Sequence, residues 1–237
     1  MKSIVLTTSW DDGHRSDLRL ARILREYGLK ATFYIAPQNQ EFAADDLLTQ
    51  KEIRDISCDF EIGAHTLTHR SLPTISEEEA AREVTGSKTI LEQITGSAVN
   101  TFCYPRGAYT EVHVQLVKAA GFRYARTVAR YRFGLDNPYK AGTSLHVYNY
   151  GFGSELWRTA QFARFRPIET WRCLEWGVLG RAMFDHVLEE GGIFHIWGHS
   201  WEIDEHDDWE RLENVFRYIS ANPKVSYVTN GELEDYS

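Results

Sequence analysis

Ile4-Val5-Leu6-Thr7-Thr8-Ser9-Trp10-Asp11-Asp12-Gly13 opens the chain with an apolar run that ends in a turn carrying two carboxylates. Its first half, Ile4 to Thr8, reads as a buried strand, and Gly13 as the turn that closes it. Ser16 then reads as the cap of an amphipathic helix whose apolar positions Leu20, Ile23 and Leu24 recur at helical spacing before Gly28 stops it. The result is a βα unit, and the pattern repeats. Strands are expected at Ala31 to Ala36, Phe60 to Ala64, Asn100 to Tyr104 and Arg123 to Val128. Helices are expected at Gln50 to Ser57, from a capping box at Ser76-Glu77-Glu78-Glu79 through Ile94, and at Glu111 to Ala120. Late strands at Thr143 to Val147, Ile193 to Trp197 and Val225 to Val228 bracket two further helical stretches.

Repeated βα units imply a parallel sheet covered by helices, either open or closed into a barrel. The polar segments decide between the two. Asp11-Asp12, Ala64-His65-Thr66-Leu67-Thr68-His69, Cys103-Tyr104-Pro105-Arg106-Gly107 and Trp197-Gly198-His199-Ser200-Trp201-Glu202 each follow the C-terminal end of a strand. Chemistry converging from several strand ends onto one face is the arrangement of a barrel's catalytic end. The expected fold is therefore α/β: a single barrel of parallel strands with outer helices, one domain over 1–237, with an aromatic-rich insertion at 148–178.

Two adjacent aspartates at a strand end cannot easily point the same way, so one can ligate a metal while its neighbour remains free for proton transfer. His65 and His69, at i and i+4, add two neutral nitrogen donors. Asp12, His65 and His69 suit one divalent metal, zinc above all, with cobalt or nickel as the other first-row candidates, and three protein ligands leave positions open for water. A metal held there would acidify a water and polarise a carbonyl, which is what amide or ester cleavage needs. Asp11 is left as the proton acceptor.

The segments Ser9-Trp10-Asp11-Asp12-Gly13 and His65-Thr66-Leu67-Thr68-His69 resemble the first two motifs, TFDDG and H(S/T)xxH, of the NodB-homology polysaccharide deacetylases, carbohydrate esterase family 4. The resemblance runs from Thr7 to about Asp204. It implies a distorted (β/α)7 barrel, Asp11 as general base, Asp12, His65 and His69 as metal ligands, and a late histidine as general acid. For that acid, related enzymes carry a similar His-x-Trp-Glu run, which favours His199 over His195; His195 lies inside a strand and reads as a hydrogen-bonded core residue. The third motif, usually near RPPYG, departs from the common form, with Cys103 at the usual Arg position and Arg106 at the usual Tyr. The main-chain N–H of Arg106 can still serve the oxyanion. Its guanidinium is expected to orient Asp11 in place of the absent arginine, with Arg126 as the alternative. Cys103, with no base assigned to it, reads as buried packing.

The remaining features bound the function. The formal charge of −8 argues against a nucleic-acid partner. The arginine-rich run from Arg123 to Arg132 reads as a solvated loop and strand end, and the acidic stretch Glu202 to Asp208 as a solvated loop before the last helix. Three widely spaced cysteines, Cys58, Cys103 and Cys173, form no legible disulfide framework. No membrane span and no signal peptide are visible, so cytoplasmic residence is expected. The 148–178 stretch, with Tyr148, Tyr150, Trp157, Trp171 and interleaved arginines, either stacks on sugar and grips an anionic leaving group or forms a flap burying its own aromatics. The expected activity is metal-dependent removal of an N-acetyl group from an N-acetylated sugar, free, nucleotide-linked or polymeric. The alternatives are an allantoinase-like hydrolase of a cyclic amide or ureide, and a non-catalytic sugar-binding relative.

Overall fold

The computed structural model describes residues 3–148, 150 and 175–236. The centre of the molecule is β1 (Ile4–Asp12), buried along nearly its whole length. A strand whose two faces are both covered must be apolar or internally satisfied, and the run Ile4 to Trp10 meets that demand. β1 pairs in parallel with β2 (Thr32–Ile35) through Ser9 to Asp12, with β7 (Gly192–Gly198) through Ile4 to Trp10, and with the short β8 (Ser226–Tyr227) through Val5 and Leu6. Beyond β2 follow β3 (Glu61–Ala64), β4 (Thr101–Cys103) and β5 (Tyr124–Arg126); beyond β7 stands β6 (Leu145–His146). Every pairing is parallel, so the C-terminal ends of all strands face one way.

The sheet curls into an irregular half-barrel. Between β5 and β6 the wall is loop chain: Ala141 bridges Arg126, and Ser144 N–H donates to His195 O at 2.9 Å. β6 is accordingly only two residues long, shorter than the strand expected over Thr143 to Val147.

Helices cover the outside: α1 (Asp17–Glu26), α2 (Gln50–Ser57), α3 (Glu77–Thr95), α4 (Glu111–Ala119), α5 (Trp176–Glu190), α6 (Ser200–Glu205) and α7 (Trp209–Ile219). α7 buries Trp209, Leu212, Val215, Phe216 and Ile219, one stripe at helical spacing, and Phe216 meets Trp10 edge-on at 6.2 Å. The Ser76–Glu79 capping box forms as expected and Gly96 ends α3 in the left-handed conformation. Ser16 does not cap α1; its backbone is already helical and its hydroxyl donates to Asp204 instead. The acidic stretch after His199 is a correction of larger consequence: Glu202 to Glu205 lie in α6, and Asp208 is buried, accepting from Trp176 Nε1 at 3.0 Å. Among the described residues no helix is long and apolar enough to cross a membrane.

Candidate active site

The end of β1 places Asp11 and Asp12 on opposite sides of the chain, as alternation along a strand requires. Asp12 leaves the strand at φ 85°, and the following Gly13 is also left-handed, which turns the Asp12 carboxylate toward the end of β3. Two and five residues beyond β3, Thr66 and His69 adopt φ 62° and 65°. Positive φ at three non-glycine residues in two neighbouring turns is a conformational cost that only a well-determined surrounding structure maintains, and such costs concentrate at functional sites.

The three proposed ligands converge. His69 Nε2 stands 3.2 Å and His65 Nε2 3.7 Å from Asp12 Oδ1, and the two Nε2 atoms are 3.2 Å apart. A polar group stands behind each ring. His65 Nδ1 donates to the carbonyl of Cys103 at 2.8 Å, and His69 Nδ1 lies 3.1 Å from Glu41 Oε2. Both Nε2 atoms face Asp12, and in the tautomer protonated at Nδ1 each would present its lone pair to a cation. Trp201 Nε1 donates to Asp12 Oδ2 at 2.8 Å, while Oδ1 is buried without a hydrogen-bond partner. A buried carboxylate oxygen facing two imidazole nitrogens is the donor set of a divalent cation, so the residues present fit zinc-type ligation.

Asp11 points the other way and meets Arg126, which is fully buried at the end of β5 and pairs with both carboxylate oxygens. The guanidinium lies between the rings of Tyr34 and Trp197, 5.3 Å and 4.8 Å from their centroids. Burial alone would raise the Asp11 pKa; the positive charge of Arg126, with His65 and His199, outweighs it and holds the carboxyl below its ordinary value. Cys103 Sγ sits 3.7 Å from Asp11, and burial pushes its thiol well above the usual range, so it is an inert neighbour.

Arg106 is therefore not the cation at Asp11, and the sequence expectation for its side chain is corrected. The residue sits at φ 58° in the turn after β4, and its guanidinium runs along the surface to Glu41 Oε1 at 2.6 Å. The physical reason is position: the turn leaves Arg106 at the rim, whereas β5 delivers Arg126 from inside the barrel wall. Glu41, which sequence reasoning missed, stands between Arg106 and His69. It belongs to a loop tied over the site by Gln38 N–H to Leu67 O at 2.9 Å and by Asn39 Nδ2 to the Asp12 carbonyl at 3.3 Å.

His199 stands between the end of β7 and the start of α6. Its Nδ1 is 2.6 Å from Glu202 Oε2, leaving Nε2 toward the site, 3.9 Å from Asp12 Oδ2. Burial would lower its pKa, but Glu202, Asp12 and Asp11 together push it up to about 9. A cation on Asp12 would offset part of that pull. Glu202 also stands 3.6 Å from His146, whose ring stacks on Trp197 with centroids 3.8 Å apart. The spacing His199-x-x-Glu202 at a helix start was the available signal for this pair. His195 is a core residue as expected: it is buried, with Ser9 Oγ at 2.8 Å, and burial together with Arg126 lowers its pKa to about 3.

Asp11, Asp12, His65, His69, His199 and Trp201 open into one cavity of about 1090 Å³, whose far wall includes Tyr109 and residues 127–133. The sequence pattern of the polysaccharide deacetylases matches residues 1–125. The chain belongs to that family. Among family relatives, YxkH of Bacillus subtilis, named for polysaccharide deacetylases, is 23% identical over 128 residues, and the match spans 44% of YxkH and 53% of this chain. A Bacillus cereus polysaccharide deacetylase is similar at 27% identity and TM-score 0.51 over 57% of this chain and 45% of that one. A Mycobacterium smegmatis protein of the same class shares the fold over 99% of this chain and 90% of its own, at 16% identity and TM-score 0.70. The curled parallel sheet with outer helices agrees with the distorted (β/α)7 barrel expected from the sequence. The stretch read as an insertion over 148–178 lies outside the described residues except at 148, 150 and 175–178.

Proposed function

We propose that this chain is a single-domain, metal-dependent carbohydrate N-deacetylase. The observation that carries the reading is the division of labour between adjacent aspartates: Asp12 faces two imidazoles, while Asp11 is held ionised by a buried arginine. Asp12, His65 and His69 would hold the metal, zinc being the best fit to a two-nitrogen, one-carboxylate set. When bound, the metal supplies Lewis-acid polarisation of the acyl carbonyl and a more acidic water.

The chain's own groups account for the rest. Asp11 accepts the proton of the attacking water as the new C–O bond forms. The main-chain N–H of Arg106, held at the cavity rim by the left-handed turn, donates to the developing oxyanion. His199, held through Nδ1 by Glu202, gives its Nε2 proton to the departing nitrogen as the C–N bond breaks, releasing acetate and the amino sugar. A cavity of about 1090 Å³ accommodates a sugar with flanking groups, whereas a cyclic ureide would occupy a small part of it.

Metal analysis of the purified protein followed by an acetate-release screen tests the reading. About one zinc per chain and acetate from at least one N-acetyl sugar are expected. Ring opening of cyclic ureides without acetate release from any sugar would replace this reading with the allantoinase-like one.

A further inference from the structure

The buried face of α3 runs Ala80, Glu83, Val84, Ser87, Leu91 and Ile94, and Glu83 is its one charged residue. A carboxylate in such a place is costly unless hydrogen-bond donors take the part of water. Here both donors come from a single residue of the turn that carries the two imidazoles. Thr68 N–H donates to Glu83 Oε2 at 2.9 Å, and Thr68 Oγ1 donates to Oε1 at 2.7 Å. Thr68 lies between His65 and His69, directly before His69. Three residues further along α3, Gly86 meets the neighbouring residue: a Cβ there would fall 3.2 Å from Leu67 Cδ2. Positions three apart share a helix face, so one face of α3 receives both Leu67 and Thr68. Leu67 O in turn accepts from Gln38 N–H at 2.9 Å, at the start of the loop that brings Glu41 behind His69.

Leu67 and Thr68 are the two residues between Thr66 and His69, whose φ values of 62° and 65° put non-glycine backbone in the left-handed region. Such a segment keeps its shape only where its surroundings hold it, and if it relaxed the imidazoles would turn with it. The Thr66 hydroxyl donates to the His65 carbonyl beside it at 2.6 Å, a bond inside the turn. The bonds to Glu83 are of another kind. They are charge-assisted and tie the turn to a helix whose start is fixed by the Ser76–Glu79 capping box.

We propose that Glu83 is a positioning residue: it holds the 66–69 turn in its ligating shape before a metal arrives, so that binding need not reorder the imidazoles. The statement rests on Asp12, His65 and His69 forming the metal site, and adds to them a residue outside the ligand set. Where the competent shape is only fractionally populated, apparent affinity falls by that fraction. The test measures zinc affinity by chelator competition on the wild type, Glu83→Gln and Glu83→Ala, with hydrogen exchange of the metal-free proteins. Glutamine fills the same volume but carries no charge and one acceptor oxygen in place of two. It should raise the zinc Kd by about tenfold, the scale of one hydrogen bond to a charged group, and alanine should raise it further. The Thr68 and Gln38 amides should exchange faster in both metal-free variants than in the metal-free wild type. Val84→Ala, on the same buried face, is the control for a merely structural role: it should lower the denaturation midpoint through lost core contacts and leave the zinc Kd unchanged. Should Glu83→Ala fail to fold, Glu83→Gln carries the comparison. Zinc bound equally by the wild type and Glu83→Gln, or a Kd raised as much by Val84→Ala, would overturn the proposal alone. A wild type that takes up no zinc would overturn the metal reading and this inference with it.

Discussion

Two arginine–carboxylate pairs flank the site, and they behave differently because one is buried and the other is not. Arg126 and Asp11 are 0% and 3% exposed; Arg106 and Glu41 are 66% and 40% exposed. At the rim, water screens both partners and the pair holds long side chains at an entropic cost, so its net worth is small. Inside the wall neither charge has water to fall back on, and removing one partner strands the other. Similar chemistry therefore sets the charge of the proposed base, Asp11, in one place and does no more than steady a neighbour of His69 in the other.

The largest effect is expected from cutting the buried pair. Arg126→Met should destabilise the protein by about 3–5 kcal/mol, the range for leaving one member of a buried pair uncompensated, and should abolish turnover. Adding Asp11→Asn should restore much of the stability but none of the activity. Chemical denaturation of the single and double variants checks this; additive losses would show that the two groups are not coupled.

Asp11→Asn alone should keep the metal and lose hydrolysis, because an amide fills the volume but takes no proton. Stoichiometric zinc with less than a hundredth of wild-type turnover is the expected pair of readings. Near-normal turnover would assign proton transfer to another group.

His195, behind Arg126, extends the contrast to pH. Its folded pKa, about 3, lies below the ordinary histidine value of 6.5, since burial and the Arg126 charge both disfavour the protonated ring. The unfolded chain therefore takes up a proton that the folded chain refuses, and stability should be lost as pH falls from about 6.5 toward 3. Denaturation midpoints across that window should fall less steeply in His195→Gln than in the wild type, and identical slopes would remove His195 from the account.

At the rim the effects are smaller. Glu41→Gln should weaken zinc binding by about 10- to 100-fold, measured by chelator competition, because His69 Nδ1 loses a carboxylate partner. Arg106→Ala should shift stability by less than about 1 kcal/mol and reduce turnover by under tenfold, since the main-chain donor remains. A hundredfold loss in Arg106→Ala would return that guanidinium to the chemistry.

The barrel and the meeting of Asp12, His65 and His69 were legible because their signals are local. Apolar runs, caps and glycines define each βα unit within some thirty residues, and Asp11-Asp12 and His65–His69 carry their chemistry in adjacency or i,i+4 spacing. The choice between Arg106 and Arg126 had no such signal. Arg106 occupies the altered third motif and is close in sequence to the Cys103 it was read as replacing, whereas Arg126 is 115 residues from Asp11 and reaches it because β4 and β5 lie side by side in the curled sheet. Glu41 likewise meets His69 only because a loop folds back over the site.

Sequence by itself determined which residues have the chemistry to bind a metal, move a proton and form a parallel barrel, since those properties belong to side-chain type and short-range spacing. Tertiary structure decided which arginine is buried against Asp11 and which acid stands behind His69. Those outcomes depend on strand order and burial, and burial is what converts an ordinary charge into one strong enough to set the state of its neighbour.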